Sequence, residues 1–148
     1  MEKKYPLSET EFKLIYSKVP RLCVDLLIQN NEGILLTLRK IPPAGFWHLP
    51  GGTVLINESM TNAVHRVARE ELNLKVKIIK QVGVIDWLNY LGLGHPVSIV
   101  YLAKIIEGEI KLDEQASKFE FFKNIPQNTF KEHTEFLKEF FKKNLILK

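Results

Sequence analysis

Apolar residues recur along the chain at two spacings, and together they outline a short set of elements. Over residues 59–73, Met60, Ala63, Val64, Val67, Ala68 and Leu72 fall at helical intervals on one face, which predicts the clearest helix in the chain. A shorter helix is predicted over 8–17. Ser8 followed by Glu11 forms a capping-box pattern, Phe12, Ile15 and Tyr16 share a face, and Pro20 ends it. The apolar run 21–29 reads as a buried strand, Asn30-Asn31-Glu32-Gly33 as a turn, and 34–39 as the returning strand of a hairpin. Further strands are expected at 75–86, 97–106 and 119–122, and the glycine-bearing segments 41–45, 47–52 and 89–96 read as loops. A last helix over 130–143 carries Phe136, Leu137, Phe140 and Phe141 as a core stripe, with Thr129 and Glu132 as its capping box. A hairpin followed by irregularly alternating strands and helices predicts an α/β domain whose mixed sheet is covered by helices.

Composition adds limits. The 148 residues show no repeat or linker, so residues 1–148 are expected to form a single domain. With 45% hydrophobic and 26% charged residues, the chain holds enough apolar material for a core without disulfide or metal staples. A net charge of +4 without a basic stripe suits small anionic ligands and argues against a nucleic-acid partner. The single Cys23 lies in an apolar run, as expected of a buried thiol in a reduced, cytoplasmic protein. No apolar stretch approaches the ~18 residues of a membrane span, and the N-terminal residues lack a signal-peptide core, so no membrane partner is expected.

Candidate chemistry concentrates in 51–74, GGTVLINESMTNAVHRVAREELNL. On a helix, positions 67, 70, 71 and 74 share a face, which sets Glu70 and Glu71 side by side near the C-terminal end. Adjacent carboxylates repel, and the negative end of the helix dipole adds to the penalty. A divalent cation would remove it, since Mg²⁺ or Mn²⁺ favours hard oxygen ligands. The Gly51-Gly52 turn could bring a backbone carbonyl close, and Arg66, four residues before Glu70, could brace the carboxylates. On spacing alone, the ordinary reading comes first: a solvated Arg-Glu-Glu face with i,i+4 pairs.

The same segment resembles the Nudix box, Gly-x5-Glu-x7-Arg-Glu-U-x-Glu-Glu-x-Gly-U, where U is bulky and apolar. Gly52, Glu58, Arg66, Glu70, Glu71 and Leu74 occupy the matching positions. Val67 stands where the box has its first helix glutamate, and Asn73 where it has glycine. The resemblance implies a Nudix-type α/β/α sandwich with a mixed β-sheet. It also implies Mg²⁺ (or Mn²⁺) held by the Gly51 carbonyl, Glu70 and Glu71, and a nucleoside diphosphate derivative as substrate. Val67 then implies fewer metals or a base supplied from elsewhere.

Beyond the box the chain is similar to the GDP-mannose mannosyl hydrolase branch, which lacks the same glutamate. The likeness spans roughly residues 7–125. It includes Pro20, Asp25, the LLTLRK strand end, the PPAGFWHLPGG segment and Asp113-Glu114-Gln115. It implies phosphate or nucleotide contact by Arg39 and a metal-ligand role for Gln115. The branch's histidine base is Ala116 here, and its arginine after Gly-Gly is Thr53. Glu114, Glu120, His95 and a metal-bound hydroxide are therefore candidate bases, because some group must orient or deprotonate water near the scissile bond, and Arg66, Glu70 and Glu71 are candidate catalytic residues beside them. Lys40 and Trp47 join Asp25 and Arg39 as candidate substrate contacts. A carboxylate in an apolar strand needs a partner, so for Asp25 a structural bond to a backbone N–H stands beside a sugar or base contact.

The expected activity is thus metal-dependent hydrolysis of a nucleotide sugar such as GDP-mannose, by a homodimer as in the resembled branch. The alternatives are a Nudix pyrophosphohydrolase for ADP-ribose or nucleoside triphosphates, and a degenerate, non-catalytic domain that binds a nucleotide. A decapping-like enzyme is disfavoured by the missing basic patch.

Overall fold

The computed structural model describes residues 5–146. Its elements, in chain order, are α1 (Glu9–Tyr16), β1 (Arg21–Asn30), β2 (Gly33–Arg39), β3 (Trp47–His48) and β4 (Gly51–Thr53). They continue with α2 (Met60–Leu72), β5 (Lys75–Asp86), β6 (Pro96–Glu107), β7 (Ala116–Phe122) and α3 (Lys131–Ile146). The expected hairpin is present, but its two strands stay together only at the turn, where Gln29 opposes Ile34 and Asn30 opposes Gly33. Beyond that they diverge. β1 pairs in parallel with β6 and antiparallel with β4, whereas β2 pairs antiparallel with β3 and β7. The sheet order β3-β2-β1-β6-β5, with β4 on β1 and β7 on β2, makes the sheet mixed, as expected.

Alternation along β1 and β6 divides the core into two layers. Val24, Leu26, Ile28, Tyr101 and Ala103 pack with Ala63, Val64, Val67, Ala68 and Leu72 of α2. Leu27, Val100 and Ile85 pack with Phe130 and with Leu137 and Phe140 of α3. Helices therefore cover both faces of the sheet, the expected α/β/α sandwich. α2 starts on Ser59, whose hydroxyl accepts from the Asn62 N–H, and stops on Asn73 in the left-handed conformation (φ 59°). α1 carries the Ser8–Glu11 capping box but buries none of its residues.

Two local expectations need correction. Residues 47–52 are not loop throughout: β3 and β4 add to the edges of β2 and β1. Thr129 is not the cap of α3, because the helix begins at Lys131 with Phe130 directly before it, and the Thr129 hydroxyl donates to the Pro126 carbonyl at 2.8 Å. Among the described residues, no helix is long and apolar enough to cross a membrane.

Candidate functional site

β4 is the hinge of the site. Ladder bonds run from the Leu26 N–H to the Pro50 carbonyl (2.8 Å) and from the Val54 N–H to the Leu22 carbonyl (3.0 Å), with Gly51 opposite Asp25. In an antiparallel ladder, hydrogen-bonded and non-bonded pairs alternate, so Gly51 and Thr53 turn their carbonyls away from β1. The Thr53 carbonyl, on that outer edge, accepts from Arg66 Nη2 at 2.8 Å. Gly51 lies two residues before Thr53, so its carbonyl points to the same outer side.

Arg66 organises this side. Its Nε donates to Glu58 Oε2 at 2.7 Å, its Nη2 to Glu58 Oε1 at 3.0 Å, and its Nη1 to Glu70 Oε2 at 3.2 Å. The Leu55 N–H also donates to Glu58, at 3.1 Å. Bidentate pairing with Arg66 holds the Glu58 carboxyl below its ordinary range, and the same partner raises the guanidinium. The expected bracing by Arg66 is present and reaches three elements: the loop before α2, α2 itself and β4. Glycine at position 52 permits the close approach of β4 to α2. A Cβ there would sit 3.1 Å from Val67 Cγ2 and 3.9 Å from Glu71 Oε1. Val67 is buried in the α2 core layer, so position 67 contributes packing where the box has a carboxylate.

The opposite side of β4 is different. A Cβ on Gly51 would collide with Asp25 Oδ1 and lie 2.7 Å from the Val24 carbonyl, so the glycine rests directly on the Asp25 carboxylate. Asp25 is 5% exposed, and its partner is neither a backbone N–H nor solvent. It is His133 of α3, whose Nε2 lies 2.8 Å from Asp25 Oδ2. The Leu49 N–H donates to His133 Nδ1 at 3.2 Å. With Nδ1 accepting, the proton sits on Nε2 and is donated to Asp25, which fixes a neutral imidazole beside a carboxylate. His48 lies nearby, its ring 6.4 Å from that of His133. It spans Thr37 Oγ1 (3.3 Å) and the Leu49 carbonyl (2.8 Å). Burial, reinforced by His133, pushes its pKa down to about 3. Phe46, Trp87, Tyr90 and Phe130 pack around these histidines, with Phe46 and Phe130 stacked at 4.7 Å and Trp87 edge-on to His133 at 4.7 Å.

His133 had escaped notice in the sequence, yet it lies three, four and seven residues before Phe136, Leu137 and Phe140. A histidine on the core stripe of α3 and an aspartate in a core strand were two buried polar groups in need of partners.

The remaining candidates are more dispersed. Arg39 donates from Nη2 to the Pro42 carbonyl at 3.0 Å, while its buried Nε has no hydrogen-bond partner in the protein. Lys40 is exposed, and its N–H donates to the Gln115 carbonyl at 2.8 Å, which joins the end of β2 to the 113–115 run. Trp47 is half-buried, edge-on to Phe122 at 4.8 Å. It lines a shallow depression of about 500 Å³ with Leu112, Ser117, Lys118, Phe119 and Glu120. Glu114 and Glu120 are both exposed, and Glu120 opposes Leu36 in the β2–β7 ladder. His95 lies in the β5–β6 connection with its Nε2 on Asp86, at 2.5 Å. Thr53 receives a guanidinium from the neighbouring strand: Arg21 Nη1 donates to its hydroxyl at 2.7 Å and to Cys23 Sγ at 3.2 Å. Cys23 is buried as expected, and burial pushes its thiol up to about 11.

Comparisons with known proteins show the family and the fold. The family model of the NUDIX domain matches residues 19–143. A curated relative, the low-salt glycan biosynthesis protein Agl8 of Haloferax volcanii, is 33% identical over 123 residues, 78% of this chain and 79% of that protein. An ADP-ribose pyrophosphatase of Methanocaldococcus jannaschii is 36% identical over 124 residues, 82% of this chain and 73% of that protein. Among solved structures, a MutT NUDIX hydrolase from Burkholderia pseudomallei superposes with a TM-score of 0.75 at 31% identity, covering 82% of this chain and 98% of the other.

Proposed function

From the premise that the chain belongs to the Nudix hydrolase family, we propose that it is a divalent-cation-dependent hydrolase of a nucleoside diphosphate derivative, with nucleotide sugars such as GDP-mannose as the substrate class. One observation carries the reading: the outer edge of β4 turns the Gly51 carbonyl to the side where Arg66 holds both Thr53 and Glu70, while Gly52 lies against Glu71. Among the described residues, no three His, Cys, Asp or Glu side chains converge as a metal cluster. A cation on Glu70 and Glu71 would thus be completed by backbone or amide oxygen, as the Gly51 carbonyl and Gln115 offer. This is a hard, all-oxygen donor set that fits Mg²⁺ or Mn²⁺. When bound, the cation would neutralise charge on the diphosphate and polarise it.

The chain's own residues do the rest. Arg66 fixes Glu58 and Glu70 in place through its fork of hydrogen bonds and holds the Glu58 carboxyl below its ordinary range. Arg39, with an unspent Nε donor, and the exposed Lys40 supply positive charge for phosphate, and Trp47 an aromatic face for base or sugar. Glu114, Glu120 and His95 are the side chains offered as base, and none of the three is buried. Ala116, in place of the histidine of the mannosyl hydrolase branch, favours attack at phosphorus over attack at the sugar carbon. The 36% identity to an ADP-ribose pyrophosphatase supports a second reading, in which ADP-ribose is the substrate.

The test is a screen of nucleotide sugars, ADP-ribose, dinucleoside polyphosphates and nucleoside triphosphates with Mg²⁺ and with Mn²⁺ in ¹⁸O-water. Turnover of a diphosphate-linked compound, with label in the phosphate product, is expected. Label in the sugar would move the attack to carbon. Nucleotide binding without turnover of any compound would make the chain a binding domain.

A further inference from the structure

The buried His133–Asp25 pair lies outside the charged network on α2, and nothing in the proposed chemistry uses it. His133 is 2% exposed and both ring nitrogens are engaged, so it is no general base. Its two bonds instead join three segments distant in the chain: α3, the middle of β1 and the backbone at Leu49. Leu49 lies two residues before Gly51, and the Asp25 carboxylate is the surface on which Gly51 rests. Gly52 in turn abuts Val67 and Glu71. A continuous line of contacts therefore runs from α3 through His133 and Asp25 to β4, and from β4 to the carboxylates of α2. Each member has a single satisfied state. The Leu49 N–H needs an acceptor, Asp25 needs a donor, and the Nε2–H tautomer of His133 supplies both.

We infer that His133 and Asp25 are positioning residues that press the Gly51–Gly52 backbone toward Glu71, so that α3 sets the cation affinity of a site to which it contributes no ligand. This rests on the proposed cation site at Gly51, Glu70 and Glu71. Without the pair, the Leu49 N–H and the Asp25 carboxylate lose their buried partners, and although the ladder to β1 and the Arg66 and Arg21 bonds at Thr53 still hold the far end of β4, the support beneath Gly51 is gone. Loss of a group that orients a metal ligand characteristically weakens metal binding by about 10–100-fold.

The test uses the full chain and two readouts that need no substrate: Mn²⁺ affinity by electron paramagnetic resonance, and amide hydrogen exchange over residues 49–53 in metal-free protein. His133→Ala is expected to weaken Mn²⁺ by about 10-fold or more and to speed exchange in that segment. His133→Gln, which can accept from one neighbour and donate to the other, should recover most of the affinity. Wild-type affinity in a folded His133→Ala protein, with only a lowered Tm, would overturn the inference and leave the cation site standing. Failure of the wild type itself to bind Mn²⁺ would overturn the cation site and the inference with it. Should His133→Ala not fold, Asp25→Asn and Asp25→Ala carry the test. Asp25→Asn keeps the acceptor for Nε2–H and the surface under Gly51, so Mn²⁺ affinity should stay within a few-fold of wild type, whereas Asp25→Ala removes both and should weaken it by about 10-fold or more; undiminished affinity in a folded Asp25→Ala protein would overturn the inference.

Discussion

The two sides of β4 are held by opposite means. Toward α2 the contacts are ionic and half-exposed: one guanidinium gathers Glu58, Glu70 and the Thr53 carbonyl. Toward α3 they are buried and mostly neutral, with two histidines whose tautomers are fixed by backbone groups of Leu49. The first side is charge-compensated through one guanidinium at the surface. The second cannot lose a partner without leaving a buried group unpaired. The two sides meet at adjacent glycines, Gly51 on Asp25 and Gly52 on Val67 and Glu71.

The largest expected effect is on the ionic side. Arg66→Ala removes the partner of Glu58 and Glu70 and the donor to Thr53, and should cost about 3 kcal/mol in denaturant unfolding. Arg66→Lys keeps the charge but not the fork, and should lie between the two. If Arg66→Ala costs less than His133→Ala, the ranking of the two sides is wrong. Next comes Gly51→Ala, which forces a methyl group against Asp25 Oδ1 and the Val24 carbonyl. About 2 kcal/mol of destabilisation is expected, with hydrogen exchange accelerated on the α3 side first.

Titration separates the two sides as well. The folded pKa of His48, about 3, lies below its ordinary 6.5, so unfolding takes up a proton between those limits and stability declines as pH falls through that window. The slope is at most about 1.4 kcal/mol per pH unit. Glu58 is also depressed, from 4.5; its contribution is complete above that value and is lost as pH falls below it. Both effects weaken the fold in acid, but in different windows. His48→Gln should flatten the stability profile between about pH 6.5 and 3, and Glu58→Gln only below about 4.5, as followed by thermal unfolding across the range.

The same contrast explains what was legible in the sequence. The α2 side is local: Glu58, Arg66, Glu70 and Glu71 lie within 14 residues, and helix geometry plus box spacing brings them together before any tertiary structure is known. The long strands β5 and β6 were legible as extended apolar-bearing runs, while the register shifts in the ladder between them, as at Ile78–Lys80 and Gln81–Gly83, were not. The α3 side is tertiary. Asp25 and His133 are 108 residues apart, and only the packing of α3 on the sheet joins them. β3 and β4 have two and three residues, too short for a period to show, and their strand geometry is imposed by the edges of β2 and β1. The Thr129 cap failed because α3 begins at Lys131, one residue later than expected, which puts Phe130 rather than Thr129 at the position before it.

In the proposed function, Arg39 meets the substrate's diphosphate. Its Nε is the one buried side-chain nitrogen or oxygen without a partner among the described residues, and a phosphate oxygen would satisfy it. Arg39→Gln should therefore raise KM for a diphosphate substrate by about 10-fold while leaving the fold intact.

The decisive comparison is Mg²⁺-dependent hydrolysis of the best compound in the screen by the wild type and by Glu71→Gln, with both shown to be folded. A fall in kcat of about 100-fold or more, with Tm little changed, is expected if Glu71 holds the cation beside the Gly51–Gly52 edge. Equal rates for the two proteins would contradict the placement of the site.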